Sequence, residues 1–512
     1  MNNFIRIKNI RAATFLCFLF VIALFSPSCK EKEEPIGQLA VSSLDVEAEP
    51  EGDSTEVTIT CDNVWTASVN NSVPWITIDR TGGEAGSTAL KLKFTDNRTG
   101  ASRYGIVTVK SPNGQARRIK ISQPNPIFPT YNTSPKAPDA TGMGSTAMQL
   151  AQRMTMGWNF FNTMDAPGWE TAWGWPKITQ QQVNLVKSTG MNAIRLPVTW
   201  SAHIVDQKTY KIDPLWLARV KEVVQYCMNA DMYVILNTHH DGYLDCKARG
   251  IKQDSVNAKH KATWEQIATT MRDFDERLIF ASANEPDAKT QEETETLMRY
   301  HQTFVKVVRS TGGRNAYRSI VIQAPSTSLE LMVEQTTPWP TDPVPQKMMF
   351  EFHFYAPPNF CILGDGGNPL PADASWGKEW YFWGKDFHTT NPLFLDRNSD
   401  LNWGDERYVI SAMRSVKEKF TSKGLPVIMG EYDIQWHADN LKGYTADSLL
   451  CVRSGWHYYS VVTKQAKING IVPFLWAGVF SRGKPRSDGW PERDAIIGSP
   501  QALDSLKIAG GF

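Results

Sequence analysis

From residue 156 onward the chain repeats one pattern: a short apolar run, a polar cluster, then a stretch of helical periodicity. The runs fall at 156–160, 193–197, 232–237, 278–283, 320–324, 347–352, 426–430 and 471–475. Amphipathic stretches such as 214–228 and 297–310 lie between them. Apolar runs alternating with helices predict a parallel sheet covered on both faces. Eight units in one domain predict an α/β fold, a (β/α)8 TIM barrel over 146–512, with functional residues gathered at the C-terminal ends of its strands. Between 37 and 124 the period drops to two, at 56–61, 75–78, 89–94, 105–110 and 117–122, with turn clusters at Thr81-Gly82-Gly83 and Ser111-Pro112-Asn113-Gly114. That predicts an all-β Ig-like sandwich ahead of the barrel, with Trp65 and Trp75 at buried positions of the alternation. Residues 125–145, rich in Pro, Ser and Thr, read as a semi-rigid linker.

At the N-terminus Arg6, Lys8 and Arg11 precede an apolar run over 13–25. It is too short to cross a bilayer core of ~30 Å and fits the apolar core of an export signal. It ends in Ser26-Pro27-Ser28-Cys29, which resembles a bacterial lipoprotein cleavage box. Residues 1–28 are then expected as the removed signal, with Cys29 as the lipidated first residue. Residues 29–36, including Lys30-Glu31-Lys32-Glu33-Glu34, form a charged tether similar to the surface-export signal of Bacteroidetes lipoproteins. This predicts an outer-membrane, lipid-anchored, surface-exposed protein; a soluble secreted protein with an incidental cysteine is the alternative.

With 512 residues, net charge +1, 41% hydrophobic and 21% charged residues, the chain is neither a disordered polyelectrolyte nor a nucleic-acid binder built on bulk charge. Of seven cysteines, Cys17 leaves with the signal and Cys29 carries lipid. Cys61, Cys227, Cys246, Cys361 and Cys451 form neither a CxxC pair nor a metal box. No GxGxxG follows a strand, so no cofactor and no nucleic-acid partner are expected.

The residues at the strand ends are Asn159, Arg195, His239, Asn284-Glu285, His353 with Tyr355, Glu431 and Trp476. One such group after each of several runs places them on one rim of a barrel. Two glutamates facing each other across that rim suit glycoside chemistry. A gap of about 5 Å implies retention through a glycosyl-enzyme, and ~6.5 to 9.5 Å implies inversion with an intervening water. His239-His240-Asp241 invites a metal reading, but adjacent strand residues point to opposite faces, so no metal is expected.

The strings Gly157-Trp158-Asn159, 193–200 (AIRLPVTW), 236–241 (LNTHHD), Ala283-Asn284-Glu285-Pro286, His353-Phe354-Tyr355 and Gly430-Glu431-Tyr432 resemble glycoside hydrolase family 5, most closely its subfamily 4 of endo-β-glucanases and xyloglucanases, over roughly 145–505. Residues 37–124 resemble a BACON module, expected as a spacer, with glycan binding as the alternative. The resemblance implies Glu285 as general acid/base and Glu431 as nucleophile, a division that suits the residues: Arg195 and Tyr355 are placed to hydrogen-bond Glu431 and keep it ionised, whereas Glu285 needs a raised pKa to carry a proton. It also implies Asn284 on the sugar 2-hydroxyl, His353 orienting Glu285, His239 near the sugar or the nucleophile, and Trp476 as the floor beneath the sugar. Asn162, Trp200, His240, Trp436 and Trp476 are expected to touch substrate. Phe160-Phe161, Tyr432-Asp433 and Ala477-Gly478 depart from the family pattern beside the subsites.

Loop tryptophans Trp169, Trp173, Trp175, Trp200, Trp376, Trp380, Trp383, Trp403 and Trp436 are candidate stacking platforms for an extended chain. The long sixth loop, 357–405, has room for side branches. The expected function is endo-hydrolysis of xyloglucan by a monomer, its partners being that polysaccharide and, through lipid, the outer membrane. Mixed-linkage β-glucan or cellulose-type chains are the alternative substrates. A non-catalytic glycan-binding lipoprotein and an amidohydrolase-like metalloenzyme are the readings from other classes.

Overall fold

A computed structural model describes residues 38–50, 52–70, 72–97, 102–363, 377–477, 480–481, 496–497 and 500–512. The export signal, Cys29, the charged tether, Trp376 and Gly478 lie outside these. The chain divides into a unit ending at Asn125 and a unit Pro126–Phe512.

The first unit is a two-sheet sandwich. One sheet runs in the order Leu39–Val41, Ser54–Cys61, Gly86–Phe94, Ile76–Ile78, and the other Asp45–Glu47, Ala116–Gln123, Arg103–Lys110, Trp65–Val69, Gly82–Gly83. Alternate residues of both sheets, among them Ile59, Leu90, Val107 and Ile121, enclose one apolar core. Trp65 and Trp75 are buried in it as the alternation predicts. Gly82–Gly83, expected as a turn, is instead a short strand paired with Trp65–Thr66.

The second unit is the eight-stranded closed barrel. Its strands are β1 (Gly157–Asn159), β2 (Ala193–Leu196), β3 (Tyr233–Asn237), β4 (Leu278–Ala281), β5 (Ile320–Ser328), β6 (Met348–His353), β7 (Val427–Tyr432) and β8 (Ile471–Leu475). Each coincides with one of the eight apolar runs. Every ladder is parallel, and Gly157 of β1 pairs with both Ala193 and Phe474, which closes the ring. Inside, Ile235, Ile279, Val321, Met349, Ile428 and Phe474 form an apolar lower layer, stoppered by Leu150 and Met154 of the segment 147–154. One layer higher the residues on these strands turn polar: Asn159, Arg195, Asn237, Gln323 and Glu351, all fully buried.

The segment read as a linker is strapped to this second unit. Lys136–Pro138 pairs in parallel with Gly312–Gly313. Glu265 accepts from the Tyr131 N–H at 2.6 Å, and Asn132 donates to Ser310 O at 3.0 Å. A Cβ on Gly312 would meet Lys136 O at 1.8 Å, so this close approach requires glycine there. Pro- and Ser-rich composition reports stiffness and polarity but says nothing about specific partners elsewhere in the chain.

Candidate active site

The site begins one layer above the apolar filling, where side-chain length and charge place each group. Arg195 at the end of β2 is completely buried, so each of its donors needs an acceptor. Its Nη1 donates to Glu431 Oε1 at 2.8 Å and to Asn159 Oδ1 at 3.1 Å, and its Nη2 to Asn284 Oδ1 at 2.7 Å. Asn159 is held in turn by donating to Gly430 O and Leu475 O. Thus one guanidinium ties β1, β2, β4 and β7 together at the rim.

Glu431 near the end of β7 accepts its second hydrogen bond from the Tyr355 hydroxyl at 3.1 Å. Glu285, just beyond β4, has a side chain 49% exposed and lies 2.6 Å through Oε1 from His353 Nδ1. The same Nδ1 stands 3.6 Å from Glu431 Oε2. One oxygen of each carboxylate lies within 4.8 Å of the other, near the ~5 Å spacing of retaining pairs.

Burial raises the Glu431 carboxyl above the usual range, against the opposing charges of His353 and Arg195. Burial also raises Glu285, but the hydrogen bond and charge of His353, with Arg195, outweigh it and leave Glu285 below the ordinary value. His353 is opposed by burial yet pushed up to about 9 by Glu431 and by its contacts with Glu285 and Glu351. The shift at Glu285 therefore runs opposite to the raised acid expected there. The imidazole beside it is the group whose pKa is raised, because two carboxylates and a third below them surround that ring.

The Trp476 ring lies parallel to His239, 9° apart at 5.6 Å between centroids. His239 is oriented by Asn237, whose Nδ2 is 3.1 Å from its Nδ1. His240 is exposed beside Trp173, 5.6 Å away. Asn162 sits in a turn with φ +55°, its N–H donating to Asp165. Trp436 is half-buried, its ring edge against Gly455 and Tyr459.

Trp200 corrects the expectation of a substrate contact. It is fully buried, with Nε1 donating to Asn237 O and its N–H to Asp241. Trp175 and Trp383 are buried too, whereas Trp169, Trp173 and Trp403 are each about 40% exposed. Position after a strand does not tell an aromatic that stacks on sugar from one that folds back under the rim.

Two groups not singled out by motif matter here. Asp433 accepts from the Tyr459 hydroxyl and from the N–H of Ala477 at 2.7 Å, so this departure from the family pattern braces the backbone next to Trp476. Glu351 on β6 is a fully buried carboxylate beneath the pair. A charged residue inside the apolar run 347–352 was its only sequence signal.

Among the described residues, donor atoms converge within 4.8 Å in two sets, Asp165–His239–His240 and Glu285–His353–Glu431. The second is engaged internally, as described. In the first, Asp165 accepts the N–H groups of Asn162 and Thr163, and His239 is turned to Asn237.

Comparison with known proteins completes the picture. The model of the cellulase family (glycosyl hydrolase family 5) matches residues 157–478. The chain belongs to glycosyl hydrolase family 5. A BACON model, described as a putative N-terminal binding domain, matches 64–124. A xyloglucan-specific endo-β-1,4-glucanase of Bacteroides ovatus is 30% identical over 509 residues, covering 96% of each chain. A Bacteroides ovatus family 5 xyloglucanase solved with a XXXG heptasaccharide is 27% identical, with TM-score 0.65, over 93% of this chain and 100% of that one. A broad-specificity family 5 endoglucanase of Bacteroides salanitronis is 29% identical, with TM-score 0.59, over 72% and 96%. This family 5 chain is therefore a glycoside hydrolase whose relatives are endoglucanases and xyloglucanases.

Proposed function

We propose that the protein is a retaining endo-β-1,4-glucan hydrolase acting on xyloglucan by double displacement. Glu431 attacks the anomeric carbon while Glu285 protonates the departing oxygen. Glu285 then takes a proton from the water that releases the glycosyl group from Glu431. The observation that carries this reading is the pair of carboxylates with one oxygen of each within 4.8 Å, near the ~5 Å spacing of retaining pairs and below the ~6.5 to 9.5 Å of inverting ones. Arg195 and Tyr355 hydrogen-bond Glu431 and offset part of the cost of its burial. Asn284, tied to Arg195, serves the sugar 2-hydroxyl, and Trp476 stacked on His239 offers an apolar floor.

Xyloglucan is favoured by the full-length likeness to the Bacteroides ovatus enzyme, which spans both units. An unbranched β-glucan is the second reading, supported by the broad-specificity neighbour. Reducing-end release on xyloglucan, mixed-linkage β-glucan and mannan separates them. Fast mid-chain cutting of xyloglucan is expected, with kcat falling by about 10³-fold or more in Glu431→Gln. Faster cutting of unbranched glucan would replace the substrate and keep the mechanism. Anchoring through Cys29 at the outer-membrane surface belongs to the same reading, supported by the basic, apolar and small-residue-cysteine order. It predicts fatty-acid labelling that Cys29→Ser abolishes.

A further inference from the structure

Glu351 lies below the catalytic pair and cannot reach a sugar, yet it is fully buried and engaged on every side. Its Oε2 accepts from Gln323 Nε2 at 2.6 Å, and Gln323 is itself fixed by accepting the Ala283 N–H. Its Oε1 lies 3.2 Å from His353 Nε2. Arg195 Nε is 2.8 Å from that oxygen but is not aligned for a hydrogen bond. The aligned donor for Oε1 is therefore His353. On the other strand, a Cβ at Gly430 would fall 1.9 Å from Oε1, so the close seat of this carboxylate requires glycine next to the nucleophile.

His353 Nε2 has two competing neighbours. Arg195 Nη2, at 3.3 Å, can only donate and would need a bare Nε2; Glu351 can only accept and needs an Nε2–H. Arg195 Nη2 already has a shorter contact to Asn284, and a buried carboxylate gains more from a donor than a guanidinium gains from a second acceptor.

We propose, resting on the retaining mechanism above, that Glu351 is a positioning residue that holds His353 with its hydrogen on Nε2, so that Nδ1 and Glu285 share a single acid proton. In the resting site that proton is on Nδ1 and Glu285 is a carboxylate. Transfer across the 2.6 Å contact leaves a neutral imidazole with Nε2–H still on Glu351, and a carboxylic acid at Glu285. That acid proton passes to the glycosidic oxygen as its bond to the anomeric carbon breaks and Glu431 bonds to that carbon. Water's proton restores the pair in the second step. The charged or titratable groups facing His353 are Glu351 and Tyr355 from β6 and its end, Glu285, Glu431, Arg195 and His239. Among the carboxylates of the described residues, Glu351 alone faces the ring from below.

Glu351→Gln tests this. Gln323 still demands an acceptor, which turns the new amide's NH2 toward His353 Nε2 and selects the wrong tautomer. On xyloglucan kcat/KM should fall by about 10²-fold or more, the size of a lost acid–base contribution. On a dinitrophenyl cello-oligosaccharide, whose leaving group needs no proton, it should fall less than about tenfold. Loss of the negative charge lets His353 give up its proton sooner, so the alkaline limb of the xyloglucan profile should move down by about one pH unit. Equal losses on both substrates with an unmoved limb would overturn the proposal and leave Glu351 as support for Arg195 alone. A wild-type protein without hydrolytic activity would instead overturn the underlying mechanism. Should the variant not fold, histidine-selective 15N NMR of the wild type reads the tautomer. Above the pH at which His353 gives up its extra proton, a neutral ring protonated on Nε2 is expected, and a neutral ring protonated on Nδ1 contradicts the proposal.

Discussion

Glu431 sits between two donors of different kinds, a buried cation and a phenol, and each contributes to how readily it ionises. Removing the phenol in Tyr355→Phe takes away a hydrogen bond that lowers the Glu431 pKa. The pKa then rises, the attacking carboxylate is lost at higher pH, and the acid limb of kcat/KM should move upward with kcat reduced about 10- to 100-fold. An unmoved acid limb would mean that Tyr355 acts on the sugar alone. At this scale the sequence was readable where a chemical residue type ended an apolar run: Arg195, Glu285, His353 and Glu431 were all legible so. Glu351 and Gln323 were less so, because their roles depend on inward-facing partners supplied by other strands. Trp200 misled because its indole reaches back to Asn237 O, a contact between two strands that no local pattern records.

The barrel strands were legible because a strand buried on both faces has no polar alternation, leaving compact apolar runs of a few residues. Gly82–Gly83 and Lys136–Pro138 were not, since two or three residues paired by backbone carry no side-chain signature. Between the helix Ile251–Met271 and β5, the buried Arg318 gathers the carbonyls of Arg272, Phe274, Asp275 and Leu278 and the Asn315 side chain. It thereby fixes the turn that launches β4 toward Glu285. Arg318→Ala orphans these acceptors and should lower unfolding stability by about 3 kcal/mol or more, measured by denaturant titration. A loss under about 1 kcal/mol would show that water replaces the guanidinium without penalty.

Across the whole molecule, two units with separate apolar cores share one chain, and the residues of the catalytic site all belong to the second. The strap over 126–145 belongs to that unit as well, so a protein beginning at residue 126 should fold and keep kcat on xyloglucan oligosaccharides within about twofold. A large loss of kcat would assign the sandwich a part in catalysis. The central claim is that Glu431 forms a covalent bond to the sugar. Its most direct measurement is mass spectrometry of the protein after reaction with a 2-deoxy-2-fluoro cello-oligosaccharide bearing a dinitrophenolate leaving group, which slows release of the glycosyl-enzyme. The account predicts one added glycosyl mass, located on the peptide containing Glu431; no adduct, or one attached to Glu285, would contradict it.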